Sequence, residues 1–107
     1  MNEENTVLRK GHNSVVKRFV DAIILGELKK NGPLSGYDII YFINQKFYVM
    51  ISPGKVYSAL YALERKGLIQ GSFDSKKRTY TITEQGAKAL EEIAEESEAV
   101  LYYLTSL

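Results

Sequence analysis

The sequence predicts a mainly helical fold with one small β-hairpin, and three observations predict it. The segment Ser52 to Ile69 carries a helix start, an apolar helical face and a helix stop. A short basic stretch with strand-like alternation follows it. A long acidic segment after Thr83 then repeats apolar residues at heptad-like spacing.

The elements can be justified in chain order. Residues 1–13 are polar without a period and are expected to form a flexible N-terminal tail. A first helix is expected from Ser14 to Lys30, with Val16, Phe19, Val20, Ile23, Ile24 and Leu28 on its apolar side. Asn31-Gly32-Pro33 breaks it. Ser35 opens a second helix, and Asp38 stands where the acid of a capping box would. Tyr37, Ile40, Ile43 and Phe47 form its expected apolar stripe, with Ile39 and Phe42 nearby. Phe47 to Ile51 has β character and reads either as the end of that helix or as a buried link.

The third helix has the clearest signals. Ser52 can accept a bond from an orphan backbone N–H, and Pro53 suits the first helical position. Gly67 can take the left-handed conformation that ends a helix. Val56, Ala59, Leu60 and Leu63 fall on one side at roughly 100° per residue. Ser58, Tyr61 and Arg65 fall on the other, flanked by Lys55 and Tyr57. A short helix with this front is built to present side chains to something polar.

Leu68 to Phe73 and Arg78 to Thr83 then read as two strands joined by the basic turn Asp74-Ser75-Lys76-Lys77. Thr83 caps a last helix, and Glu84 suits the positive end of its dipole. Leu90, Ala94, Ser97, Leu101 and Leu104 make a seam along it, widened by Ile93 and Val100.

Bulk composition narrows the function classes. A chain of 107 residues is one domain, here with an appended helix. It has no cysteine, which excludes disulfides, thiolate metal sites and cysteine catalysis. No apolar run is long enough to span a bilayer, and the first residues lack the features of a signal peptide. A cytoplasmic protein without membrane contact is expected. His12 is the only histidine and falls in the expected tail. The acids of the last helix are spaced as a solvent face, and no phosphate loop or metal-ligand spacing appears. No catalytic residue, metal or cofactor is expected, and the chain does not read as an enzyme.

The net charge of +1 hides an asymmetry. Pro53 to Thr83 holds six basic and two acidic residues, a net of +4. Glu84 to Leu107 holds six acids and one lysine, a net of −5. The basic block would face a polyanion and the acidic one would be kept away from it. Three helices followed by a basic hairpin describe a winged helix-turn-helix, in which the hairpin is the wing. The expected organisation is a tail (1–13), a winged helix-turn-helix DNA-binding domain (14–83) and a C-terminal dimerisation helix (84–107).

Three motifs stand in this order: Gly32-Pro33-Leu34-Ser35-Gly36-Tyr37-Asp38-Ile39, Ser52-Pro53-Gly54-Lys55-Val56-Tyr57 running to Leu63-Glu64-Arg65-Lys66-Gly67-Leu68-Ile69, and Arg78-Thr79-Tyr80-Thr81-Ile82-Thr83-Glu84-Gln85-Gly86. Over residues 20 to 90 the chain resembles the PadR family of transcriptional regulators. The resemblance implies a homodimeric DNA-binding repressor with a C-terminal dimerisation helix, of the branch with one such helix. It also implies a small aromatic effector. Lys55 stands where the family often has a small hydroxyl residue, and Ser58 where proline is frequent. The chain has no tryptophan, so an effector site built on one does not carry over.

The candidate DNA contacts are Ser35, Tyr37, Lys55, Tyr57, Ser58, Tyr61, Arg65, Lys76, Lys77 and Arg78. Lys55 and Ser58 lie in the first turns of the third helix, the part that enters a major groove. Tyr57 reads either as a contact or as a ring folded back on the second helix. Ser35 and Tyr37 read either as a phosphate site at a helix N-terminus or as a cap and a buried ring. Lys76, Lys77 and Arg78 carry the electrostatic signal of the wing. Arg9, Lys10, Lys17 and Arg18 are candidates for an added basic surface. Leu90, Ile93, Ser97, Val100, Leu101 and Leu104 are the candidate dimerisation residues, and Tyr102 and Tyr103 are candidates to line an aromatic pocket. The expected partners are a near-palindromic duplex and a second copy of the chain. Two alternatives remain at this level: a winged-helix protein-interaction module, and a non-specific architectural DNA binder.

Overall fold

The computed structural model describes residues 3–47 and 51–106. The chain runs α1 (Glu3–Asn31), β1 (Leu34–Ser35), α2 (Gly36–Phe47), α3 (Pro53–Arg65), β2 (Ile69–Asp74), β3 (Lys77–Ile82) and α4 (Glu84–Thr105). The expected order of helices and strands is present, with three differences. The first helix begins at Glu3, so most of the expected tail is helical. The residues there are tolerable helix formers, and extending a helix already nucleated by packing costs far less than starting one. The wing is also not a lone hairpin. Leu34 and Ser35 add a strand, giving the antiparallel order β1-β3-β2 with Leu34 opposite Tyr80 and Ser35 opposite Thr79. Two residues are too few to show a strand period in sequence.

The third difference is the rotation of α2. Ile39 and Ile43 are buried, Ile40 and Phe42 are partly buried, and Tyr37 is 73% exposed. Apolar residues cover so much of this helix that their period does not choose a face. Of the stretch expected as ambiguous, Tyr48 to Met50 lie outside the described residues, and Ile51 is buried.

One core joins the elements. Ile24, Leu25 and Leu28 of α1 meet Val56, Leu60 and Leu63 of α3, Ile39 and Ile43 of α2, and Ile69 and Tyr80 of the sheet. Phe19, expected on the apolar side of α1, is 50% exposed. Sequence reasoning did not foresee that Glu27 of α1 is buried. Its carboxylate accepts from Lys46 Nζ at 2.5 Å and from Asn31 Nδ2 at 2.8 Å, which offsets the cost of burying the charge.

The end of α3 sets the direction of the chain beyond it. Gly67 takes φ +80°, its N–H donates to Glu64 O, and the Leu68 N–H donates to Leu63 O, a Schellman closure. Thr83 is tied to this corner: its N–H donates to Leu68 O at 3.1 Å and its Oγ1 to Gly67 O at 2.7 Å. Thr83 Oγ1 also accepts from Gly86 N at 3.0 Å and so caps α4. Gly86 is pressed against the same corner, where an added Cβ would lie 2.0 Å from Leu68 O. The first turn of α4 is therefore fixed to the end of α3. Most of α4 beyond Ile93 is exposed, and the radius of gyration is 15.4 Å. A compact chain of this length would have about 13 Å.

Candidate nucleic-acid interface

The front of α3 is presented as its spacing requires. Ser52 caps the helix through Oγ, which accepts from Lys55 N at 3.3 Å. Val56, Ala59, Leu60 and Leu63 are buried beneath it. Lys55, Ser58, Tyr61 and Arg65 stand on the surface, with Tyr61 67% exposed. The Arg65 guanidinium lies over the Tyr61 ring, 5.4 Å from its centroid. The pair makes a broad, flat and cationic patch. Tyr57 is half-exposed and rests on α2: a Cβ on Gly36 would come 2.6 Å from its ring. Gly36 thus leaves room for the ring, which is the folded-back arrangement.

The N-terminus of α2 closes as a capping box. Ser35 Oγ accepts from Asp38 N, and Asp38 Oδ2 accepts from Ser35 N, both at 3.1 Å. The bond from the Ser35 backbone holds the Asp38 carboxyl below its ordinary pKa, helped by Lys77. Ser35 is only 4% exposed, and its hydroxyl serves the cap, so it is withdrawn from the outer surface. Tyr37 beside it is open to solvent.

The wing pairs from Ile69↔Ile82 to Asp74↔Lys77, leaving Ser75 and Lys76 as the turn, with Ser75 at φ 60°. Lys76 projects at the tip with no ion pair among the described residues. The Lys77 ammonium lies 3.8 Å from Asp38 Oδ2, across from the start of α2. Arg78 differs from both lysines. One guanidinium nitrogen, Nη2, donates to both oxygens of Glu64, at 2.6 and 2.8 Å. Glu64 raises the Arg78 pKa further above its ordinary value. Sequence reasoning missed Glu64 because its partner lies on another element, beyond the reach of any local spacing.

The dimerisation candidates divide. Leu90 and Ile93 pack against the core of their own chain. Val100, Leu101 and Leu104 are exposed, and with Ser97, Arg18 and Glu96 they line an open groove of about 510 Å³. Arg18 forms an ion pair with Glu96 across it. Tyr102 and Tyr103 are exposed and are not among the residues lining this groove. The side chains of Arg9, Lys10 and His12 lie outside the described residues. Among the described residues, no helix is long and apolar enough to cross a membrane. No group of three or more His, Cys, Asp or Glu among them could hold a metal ion.

A three-helix head, a three-stranded wing sheet, a polar helix front and a basic turn define a winged-helix protein of the regulatory class. The match to the model of the transcriptional regulator PadR-like family covers residues 24–92, and the chain belongs to that family, which comprises transcriptional regulators rather than enzymes. It is similar to a transcriptional regulator from Clostridium thermocellum, at 30% identity over 88% of this chain and 94% of that one, with a TM-score of 0.78. A PadR family regulator from Clostridium difficile R20291 is 22% identical over 82% of this chain and 96% of that one, with a TM-score of 0.77. The PadR of Bacillus subtilis, solved in complex with operator DNA, is 25% identical over 83% of this chain and 61% of that one, with a TM-score of 0.62. No curated protein sequence matches.

Proposed function

We propose that the chain is a homodimeric, sequence-specific DNA-binding regulator that acts in the cytoplasm as a repressor. The observation that carries the reading is the exposure of Lys55, Ser58, Tyr61 and Arg65 on one helix, α3, together with the exposed Lys76 at the turn of the wing. In this reading α3 enters the major groove, where Lys55 can reach a guanine edge or a phosphate. Tyr61 and Arg65 meet the groove wall, and Tyr37 borders it. Lys76 and Lys77 hold the backbone, Lys77 exchanging Asp38 for a phosphate. Ser35 and Tyr57 support the surface from behind. The Bacillus subtilis relative, solved with operator DNA, supports the same use of the fold.

The second copy is inferred from α4. Val100, Leu101 and Leu104 continue the seam begun by Leu90 and Ile93, and all three are more than half exposed. An identical seam related by a two-fold axis is the simplest cover. Such a dimer places two copies of α3 in successive major grooves about 34 Å apart, so the operator is a near-palindrome. Titration of the upstream region of the protein's own gene against random duplex tests the reading. Preference for the upstream duplex is expected. Equal affinity for both would indicate an architectural binder, and no binding to either a protein-interaction module.

A further inference from the structure

We propose that Glu64 and Arg78 form a clamp that sets the angle of the wing on α3, and that both are positioning residues rather than DNA contacts. This rests on the DNA-binding reading for its consequence, though not for its geometry. Glu64 stands in the last turn of α3 and Arg78 on β3. The Glu64 carboxylate bonds the wing twice. Oε2 accepts from the Gly71 backbone N–H at 2.9 Å, and both oxygens accept from Arg78. The bonds to Gly71 and Arg78 fix β2 and β3 to one side chain of α3.

The rest of that sheet face is arranged around the pair. In the observed register Gly71 faces Tyr80 and Phe73 faces Arg78, so all four residues share one face. The Arg78 guanidinium lies 5.7 Å from the Phe73 ring centroid and 5.5 Å from that of Tyr80. Rings and carboxylate together hold it in one orientation. Gly71 completes the device by having no side chain. A Cβ there would lie 2.7 Å from Glu64 Oε2, and 2.8 and 2.9 Å from Arg78 Nη2 and Nε. Its φ is not in the positive range, so the need for glycine comes from the clamp rather than from the backbone.

An acid on the helix that faces DNA is otherwise unfavourable, because it repels phosphates. Its position is explained if the wing must be held at a fixed distance from α3, since two contact elements bind one duplex well only when their spacing is preset. The sign of the effect then separates positioning from simple repulsion. Removing the charge of Glu64 should tighten DNA binding if the residue only repels, and weaken it if the residue positions.

Glu64→Ala, Arg78→Ala and Gly71→Ala test this, with Glu64→Gln, which keeps the shape of the side chain, as the fourth variant. In the free protein, amide exchange across the wing should rise by about tenfold in each, as expected for the loss of a bond to a charged group. Binding to the preferred duplex should weaken by about tenfold in each of the three truncations or insertions, since each removes the same preset angle. The dependence of log K on log salt should stay at the wild-type slope in Arg78→Ala, whereas a lost phosphate contact would reduce it by about 0.9. Gly71→Ala changes no charge, so its loss of affinity can come only from geometry. Unchanged wing exchange, tighter binding by Glu64→Ala, or a reduced slope in Arg78→Ala would each overturn the clamp. If the wild type binds no duplex, the DNA-binding reading falls, and wing exchange alone decides the clamp.

Discussion

Leu60 of α3 and Leu101 of α4 are the same residue type on the apolar side of an amphipathic helix, and their surroundings are opposite. Leu60 is 1% exposed and belongs to the core shared with α1, α2 and the sheet, whereas Leu101 is 62% exposed along an open groove. In the head, the spaced apolar residues of α3 are buried inside one chain. Along α4, Leu90 and Ile93 pack on the core, while Val100, Leu101 and Leu104 are exposed. A hydrophobic period thus predicts that a face will be covered, but not by which molecule.

The contrast is most vulnerable at Leu101. Under two-fold symmetry Leu101→Glu removes two leucines from the shared seam, about 3–6 kcal/mol at 1.5–3 for each, enough to loosen a dimer by more than 100-fold. Sedimentation should show a monomer with unchanged circular dichroism. A variant that sediments like the wild type would leave α4 without a role in association. Leu60→Ala should act on the other side of the comparison, lowering the unfolding free energy by about 2–5 kcal/mol. Denaturation at several protein concentrations separates this loss from any change in association.

Two smaller effects concern the head alone. Lys46→Ala leaves the buried Glu27 carboxylate with Asn31 as its remaining side-chain partner and should cost about 1–3 kcal/mol in urea denaturation. The partner is itself partly exposed, which favours the lower half of that range. Asp21 offers a pH test. Burial raises its carboxyl above the ordinary 3.8, against the opposing pull of Lys66 and Lys17, and Oδ1 is buried without a hydrogen bond among the described residues. A raised folded pKa means that the folded state binds the extra proton. The associated stability is present below 3.8 and is lost as pH rises through the folded value. Asp21→Asn should therefore raise the melting temperature modestly at neutral pH and have little effect in acid below that point. An equal shift at both pH values would place the cause in packing instead.

Much of the fold was legible in the sequence because its signals are local. Ser52, Pro53 and Gly67 bound α3 where they were expected to, and Thr83 caps α4. The burial of Val56, Ala59, Leu60 and Leu63 followed from their spacing, and the exposure of Lys55, Ser58 and Tyr61 is its complement. Ser35 was legible as a cap, yet its burial was not, since that depends on the strand it makes with Thr79. Arg78 was legible only as one more positive charge of the wing.

Caps, turns and helical periods act over a few residues, so the elements, their order and the polar front of α3 are written in the sequence. Packing chose which way α2 turns, that Leu34 and Ser35 join the sheet, and that Arg78 belongs to Glu64. These contacts join residues far apart in the chain, and their partners become neighbours only after the core has brought the helices and the sheet together. Gly71 illustrates the boundary. In sequence it is one residue of the strand expected from Leu68 to Phe73, while in the folded molecule it is the space through which α3 holds the wing.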